Sequence, residues 1–358
     1  MKAFKTELSN SSMVTRYAFM SLMADATCSA MLFGSISLHA SEDKLAILII
    51  LFNIIAIGGR VLFSSVADNV KNKHTGVRLA VMLIILGFVF PTDISIKAKV
   101  LLMAIGNSAF HAFASSSILS RSKFTATGVG LFTAGSTLGV ALARYAPFFG
   151  YLSAAFLMMA ASPSDIGEEI DEAYLNRKEK APKTAFAPIF IVLLLLSSAS
   201  FTFINNSLSF DWYYGRKTIF LAAVAAGVGR AIGGFIYDKF SVFLTTASLG
   251  GGALLLACCP DSKKLSLVGI LLLNMFVPTV ISLVFRFMPK FPAFSYSIVS
   301  CFSYIGYVSV KILPPTEKIK ALIMLICAFL LLVSFIAELV LYINGKKSTT
   351  ELGERSDE

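Results

Sequence analysis

Hydrophobic and polar positions follow one another along this chain in long blocks, with extended apolar runs separated by short charged loops. Runs without any Asp, Glu, Lys or Arg cover 100–120, 124–143, 145–164, 184–210, 240–260, 265–285 and 291–310. An α-helix that crosses the hydrocarbon core of a bilayer needs about 20 mostly apolar residues, whereas a membrane β-barrel shows alternating strands of about ten residues. The pattern therefore predicts an all-α integral membrane protein.

We predict twelve transmembrane helices, numbered span 1 to span 12 in chain order. Their expected limits are 17–38, 44–66, 77–92, 98–120, 125–144, 147–163, 184–210, 217–237, 242–259, 264–287, 292–313 and 320–343. Span 3 and span 6 are short for a bilayer crossing. Residues 1–16 are polar and are not followed by a cleavage-site pattern, so we expect span 1 to be retained rather than removed as a signal peptide.

Composition narrows the class of protein. Hydrophobic residues make up 56% of the chain and charged residues only 15%, against about 25% charged residues in soluble domains. This excludes a water-soluble enzyme, because too few polar residues remain to cover a soluble core. The net charge of +10 needs no nucleic acid, since basic loops beside anionic lipid account for it.

The sequence carries no pattern for catalysis, a cofactor or a metal. It contains neither a G-x-x-x-x-G-K-[ST] phosphate loop nor an H-E-x-x-H metal motif. Five scattered cysteines and three distant histidines indicate neither a disulfide framework nor a metal cluster. We therefore expect a protein that is not an enzyme, with no cofactor and no metal.

A charged segment near the midpoint divides the chain. We expect a six-helix bundle at 1–163, a cytoplasmic linker at 164–183, a second six-helix bundle at 184–344 and a cytoplasmic tail at 345–358. With both termini in the cytoplasm, eighteen Lys and Arg lie on the cytoplasmic side and eleven on the opposite side, which is the sign that the positive-inside rule requires. We expect a monomeric, multi-pass protein of the cell (plasma) membrane.

The two halves of the chain repeat a short pattern. Its copies are Gly59, Arg60 and Asp68 in span 2, and Gly229, Arg230 and Asp238 in span 8. All three positions share an offset of 170 residues, and each aspartate ends its span on the expected cytoplasmic side. Three aligned matches at equivalent spans indicate a duplicated bundle, which is a recurrent plan of secondary transporters.

At these residues the chain resembles the major facilitator superfamily of secondary transporters. The loop that this family repeats after spans 2 and 8 reads approximately G-x-x-x-D-[RK]-x-G-[RK]-[RK]. Residues 234–239 match its start around Asp238, although Ser241 stands where the family has glycine; the first copy keeps Asp68 and replaces the leading glycine with Ser64. The resemblance implies two pseudo-symmetric six-helix bundles that carry a small solute by alternating access.

The resemblance also implies a role for the two loop aspartates. Asp68 and Asp238 would help to latch the cytoplasmic side closed while the transporter faces outward. A carboxylate at a span end can accept hydrogen bonds from a helix N-terminus or pair with Arg in the partner bundle. The alternative is that both are solvated loop carboxylates.

Three ionisable residues lie at a similar depth in the first bundle. With a rise of about 1.5 Å per residue, Asp25 in span 1, Arg60 in span 2 and His111 in span 4 lie roughly 14, 12 and 15 Å inside the cytoplasmic boundary. Charged groups at this depth are costly and are often functional. We expect Asp25, assisted by His111, to bind and release a proton; the alternative is a permanent salt bridge that holds spans 1 and 2 together.

The remaining candidates are polar residues and arginines. Six polar side chains are expected to line a substrate cavity: Asn107, Asn205, Asn206, Asn274, Tyr304 and Tyr307. Such residues also commonly tie membrane helices together. Arg60 and Arg230 are grouped with Asp68 and Asp238 as charge-pair or gating residues, and Glu338 in span 12 is a lone acid with no evident partner.

The sequence thus predicts a secondary transporter for a small organic solute, with lipid as its surroundings and the proton as its coupling ion. Arg60, Arg144 and Arg230 favour an anionic solute. Two alternatives stay open. One is a multidrug exporter, since 135–140 is similar to the G-P-x-x-G-G feature of drug-exporting relatives, with Ser136 in place of Pro and Val140 in place of the last Gly. The other is a membrane sensor or assembly partner that transports nothing.

Overall fold

A computed structural model gives the architecture of the chain. It describes residues 2–92, 95–122, 125–161, 187–207, 215–240, 242–259 and 261–312, together with 212, 336 and 339. The predicted linker 164–183, the tail 345–358, Glu338 and almost all of span 12 lie outside the described residues. Within the described residues the chain is helical and contains no strand.

Eight of the predicted spans are single helices. They are Lys73–Val89 (span 3), Ile96–Arg121 (span 4), Thr125–Tyr145 (span 5), Phe149–Ala161 (span 6), Ala187–Ser207 (span 7), Arg216–Lys239 (span 8), Val242–Cys258 (span 9) and Pro292–Ile312 (span 11). These limits lie within a few residues of the predicted ones, because the charged loops that stop an apolar run also stop the helix.

Spans 1, 2 and 10 are built from more than one helical segment. Span 1 is the α-helix Lys2–Ala30, a π-helical turn at Met31–Ser35 and a 3-10 turn at Ile36–Leu38. Span 2 is Glu42–Asn53, a π-helical turn at Ile54–Gly58 and Gly59–Asn69, and span 10 is Lys263–Asn274 followed by Phe276–Phe287. Of all the described helices, seven are both long and apolar enough to cross a bilayer, which agrees with a multi-pass membrane protein.

Two of these spans differ from the sequence prediction for identifiable reasons. Span 1 begins at Lys2 rather than near residue 17, since a helix can continue through polar residues beyond the apolar core. Span 10 is interrupted at Met275. Pro278 has no N–H to donate to the carbonyl of Asn274, four residues earlier, so the regular hydrogen-bond ladder breaks there.

The helices pack as two bundles that meet along two equivalent seams. In the first seam, span 5 of the first bundle lies against span 8 of the second; in the other, span 11 of the second bundle lies against spans 2 and 4 of the first. Large apolar side chains such as Leu62, Met82 and Leu254 are exposed on the outer surface, as expected for a surface that faces lipid. The prediction of an all-α membrane protein with two related bundles is consistent with this packing.

Glycines allow the closest helix contacts. A methyl group on Gly139 in span 5 would overlap the carbonyl of Leu22 in span 1 and lie 3.0 Å from the amide nitrogen of Ala26. Gly135, one turn earlier, meets the carbonyl of Ala18 in the same way. Small residues at such positions let two backbones approach in a membrane. Close packing of spans 1 and 5 therefore accounts for both glycines.

We expect Gly139→Ala to destabilise the protein by about 1–3 kcal/mol, because overpacking a close contact forces the two spans apart. The measurement is the thermal unfolding midpoint of the purified protein in detergent. Gly251→Ala is the matched control, since a methyl group there would meet no heavy atom of the described residues within 4 Å. Equal midpoints for the two variants would contradict this explanation.

Candidate functional site

The buried charges of the first bundle form one connected group around Asp25. Nε2 of His111 lies 3.2 Å from Oδ2 of Asp25, and Nδ2 of Asn107 donates to Oδ1 of Asp25 at 2.6 Å. Asp25 is 7% exposed and His111 is fully buried. Two side chains of span 4 thus contact the carboxylate, one of them through a hydrogen bond that Asn107 donates.

Helix geometry explains why span 4 supplies both partners. Asn107 and His111 are four residues apart and therefore occupy the same face of the helix. Span 1 packs against this face, and Asp25 lies at the same level. The sequence prediction that Asp25 and His111 share a depth matches their contact in the structure.

Arg60 joins the group through Asn107 rather than by a direct ion pair with Asp25. Its Nη2 donates to Oδ1 of Asn107 at 3.4 Å, and its Nε donates to the carbonyl of Ala56 at 3.0 Å. Gly59 brings span 2 close enough for this contact, because a methyl group there would lie 2.8 Å from Oγ of Ser108. The Gly-Arg pair that the two halves of the chain repeat therefore has a packing explanation.

Tyr296 in span 11 closes the group from the second bundle. Its hydroxyl lies 3.4 Å from Nδ1 of His111, and the two rings stack with centroids 6.3 Å apart and planes 3° apart. Sequence reasoning missed this residue. The signal that could have found it is the polar strip Tyr296, Ser300 and Tyr304, spaced four residues apart on one helical face of span 11.

The second bundle contains a matching group around Arg230. Nε of Arg230 donates to Oδ1 of Asn274 at 3.3 Å, and Nδ2 of Asn274 donates to Oδ1 of Asn205 at 3.3 Å. Arg230 also donates to Oγ1 of Thr137 in span 5 at 2.6 Å. Gly229 lies against the backbone carbonyl of Leu271, so the Gly-Arg pair works in span 8 as it does in span 2.

Two cavities lie between the bundles next to these groups. The first, of about 420 Å³, is lined by Asp25, Arg60, Asn107, Tyr304 and Tyr307, among others. The second, of about 430 Å³, is lined by Asn205, Asn206 and Asn274. Arg144 and Arg230 line both cavities. The structure thus places all six polar residues predicted for a substrate cavity on a cavity wall.

The cavity walls carry more positive than negative side chains among the described residues. Among the lining residues that the structure describes, three are arginines, namely Arg60, Arg144 and Arg230, and Asp25 is the carboxylate. Arg144 lies at the end of span 5, with its guanidinium carbon 4.3 Å from the ring centroid of Phe33. An arrangement with more cations than anions attracts a negatively charged solute. No three His, Cys, Asp or Glu side chains lie together as metal ligands in the described part of the chain.

Asp68 and Asp238 lie at the other end of the two seams. Asp68 accepts hydrogen bonds from the backbone N–H groups of Ala293 at 2.8 Å and Phe294 at 3.1 Å, at the start of span 11. Asp238 accepts from Ala126 at 3.3 Å and Thr127 at 2.6 Å, at the start of span 5. Each carboxylate therefore caps a helix of the opposite bundle, where the positive end of the helix dipole favours a negative charge.

Arg60 and Arg230 do not share the position of these aspartates. Each arginine lies two helical turns before its aspartate, on a cavity wall, and among the described residues neither has a carboxylate oxygen within 4 Å. The sequence grouping of the two arginines with Asp68 and Asp238 therefore combines two separate parts of the structure.

Comparison with solved structures identifies the architecture. The transporter FucP in its outward conformation matches with a TM-score of 0.62 at 13% identity, over 92% of this chain and 98% of that one. The human organic anion transporter MFSD10 matches with a TM-score of 0.59 at 16% identity, over 92% and 99%. A bacterial homologue of the iron transporter ferroportin, in an outward-facing state, matches with a TM-score of 0.54 at 12% identity, over 93% and 99%.

The chain matches known proteins in structure but not in sequence. No protein-family model matches the chain, and neither does the sequence of any curated protein. The structural matches, at probability 1.00, extend over nearly the whole length of each protein. Together with the paired bundles and the two capping aspartates, they establish that the chain is a multi-pass membrane protein with the fold of the major facilitator superfamily.

Proposed function

We propose that this protein is a secondary active transporter that moves a small organic anion across the membrane by alternating access, coupled to protons. The observation that carries the proposal is the contact of Asp25 with His111 at the wall of a cavity whose other charges are arginines. A pair that exchanges protons beside an anion-attracting surface is the chemistry that proton-coupled anion transport requires. Two structural neighbours support this class of function, one a fucose:proton symporter and one an organic anion transporter.

Proton coupling would depend on the surroundings of the Asp25–His111 pair. The protonation of a buried carboxylate or imidazole responds to burial, to neighbouring charges and to hydrogen bonds. Arg60 approaches this group from span 2, and Tyr296 approaches it from span 11 of the opposite bundle. A change in the seam between the bundles would therefore alter the balance that holds or releases a proton.

Alternating access would be governed at the seams. Asp68 and Asp238 join the bundles at one end, and the cavities extend from Asp25 and Arg230 toward Arg144 at the opposite end of span 5. With both termini in the cytoplasm, as we propose, the capped end faces the cytoplasm and the cavities face outward. We propose the two aspartates as a latch that holds this state. We also propose that the protein is a monomer and is located in the plasma membrane.

The test is uptake and efflux of a solute library in proteoliposomes with an imposed pH gradient. We expect at least one small organic anion to accumulate, and we expect accumulation to disappear when a protonophore collapses the gradient. Transport that is unchanged without the gradient would remove proton coupling. Flux of apolar cations instead of anions would favour the multidrug exporter, and no flux for any solute would favour a membrane sensor.

A further inference from the structure

The hydrogen-bonded groups of the two bundles are built alike. In each, an Asn on the fourth helix of the bundle connects an Arg on the second helix to a side chain on the first. The first bundle uses Arg60, Asn107 and Asp25; the second uses Arg230, Asn274 and Asn205. The polarity also matches, since in both groups the amide oxygen accepts from the arginine and the amide nitrogen donates to the residue on the first helix.

The two groups differ in charge at one position. Asp25 gives the first bundle a carboxylate, while the neutral Asn205 occupies the equivalent place in the second. The residue four positions after the bridging Asn also differs, being His111 in the first bundle and Pro278 in the second. Neither arginine has a carboxylate oxygen within 4 Å among the described residues, but Asn107 connects Arg60 to the carboxylate of Asp25, whereas Asn274 connects Arg230 to the neutral amide of Asn205.

The contacts of Arg230 leave part of its guanidinium available. Nε is held by Asn274, and Nη1 is held by Thr137 and the carbonyl of Thr133, 3.4 Å away. Nη2 has no acceptor among the described residues. Because Arg230 lines both cavities, a ligand in either one can approach this nitrogen.

We propose that Arg230 receives the anionic group of the substrate, and that Asn205 sets this specificity by leaving the arginine without a counter-ion. The assignment rests on the proposed function and refines it. The first bundle carries the proton and the second bundle binds the anion. Carboxylates and phosphate monoesters are the ligand class, since a guanidinium binds both through charge-assisted hydrogen bonds.

The test measures anion binding by thermal stabilisation of the purified protein in detergent. The probes are benzoate, succinate and glycerol 3-phosphate, each compared with its neutral counterpart benzamide, succinamide or glycerol. The anion that stabilises the wild-type protein is then titrated against variants. Asn205→Asp is nearly isosteric and replaces the neutral amide with a carboxylate, so we expect it to weaken anion binding by about tenfold or more, with little change in the unfolding midpoint of the unliganded protein.

Four further variants separate this assignment from a general effect of cavity charge or a structural role. Asp25→Asn should bind the anion at least as tightly as the wild type. The double variant Asp25→Asn with Asn205→Asp has the wild-type net charge and should still bind weakly. Arg230→Lys should keep more affinity than Arg230→Gln, because it retains the charge.

The outcomes distinguish the two levels of the proposal. If the wild-type protein discriminates none of the anions from its neutral counterpart, the anionic substrate of the proposed function falls together with this assignment. If it discriminates one, but Asn205→Asp or the double variant binds that anion as the wild type does, only the assignment to Arg230 and Asn205 is overturned. If Asn205→Asp does not fold, loss of binding in Asp25→Asn would overturn the assignment on its own.

Discussion

We expect Asp25→Asn to remove solute accumulation driven by a pH gradient and to leave downhill exchange of the same solute measurable. For one proton per solute, a gradient of one pH unit supports about tenfold accumulation, because one unit corresponds to a tenfold change in proton concentration. Asn keeps the size of the side chain and its hydrogen bond with Asn107, but it does not exchange a proton. The expected accumulation ratio is therefore about one, measured with the transported anion in proteoliposomes.

The control for this prediction is Asp43→Asn, which removes an exposed carboxylate at the start of span 2. It should accumulate the solute as the wild-type protein does. Undiminished accumulation in Asp25→Asn would show that the proton is carried elsewhere. Loss of both accumulation and exchange would assign Asp25 to the structure of the bundle rather than to coupling.

We expect that removing the charges of Asp68 and Asp238 together opens the end of the molecule where these residues cap spans 11 and 5. A hydrogen bond to a charged group contributes about 1.5–3 kcal/mol, so the loss of one carboxylate should shift the equilibrium by roughly tenfold to a hundredfold. The variants are Asp68→Asn and Asp238→Asn, singly and combined. The combined variant should populate the opposite-facing state most.

A single cysteine reports this opening. Ala293 is fully buried and donates its N–H to Asp68, so Ala293→Cys, in a background without the five native cysteines, should react slowly with a water-soluble maleimide. We expect a tenfold or greater increase in the labelling rate in the combined variant. Asp261→Asn, an exposed carboxylate between spans 9 and 10, is the control. Equal rates in all variants would reject the latch.

The sequence predicted the course of the chain through the membrane better than the details of each helix. Span 5 was expected at 125–144 and is found at Thr125–Tyr145, since apolar runs report where lipid begins and ends. Apolar runs do not report where a helix continues in water, which is why the start of span 1 at Lys2 was missed. They also do not show the break at Met275, which depends on a hydrogen bond that Pro278 cannot make.

The sequence predicted how deep in the membrane the residues of the candidate site lie, but not which of them are in contact. Counting residues from the span ends places Asp25 and His111 at one level, and the structure brings them together. The same counting could not show that Arg60 reaches Asp25 only through Asn107, because that depends on the rotation of each helix about its axis. Contacts between the bundles were harder still to predict from the sequence, since Asp68 and its partner Ala293 are 225 residues apart.

The most direct test of the central claim is whether the solute moves protons. Proteoliposomes containing a pH-sensitive dye are given a solute gradient and no pH gradient. We expect downhill movement of the anion to change the internal pH in the wild-type protein, and we expect no change in Asp25→Asn under the same solute flux. Solute movement in the wild-type protein without any change in internal pH would contradict proton-coupled transport.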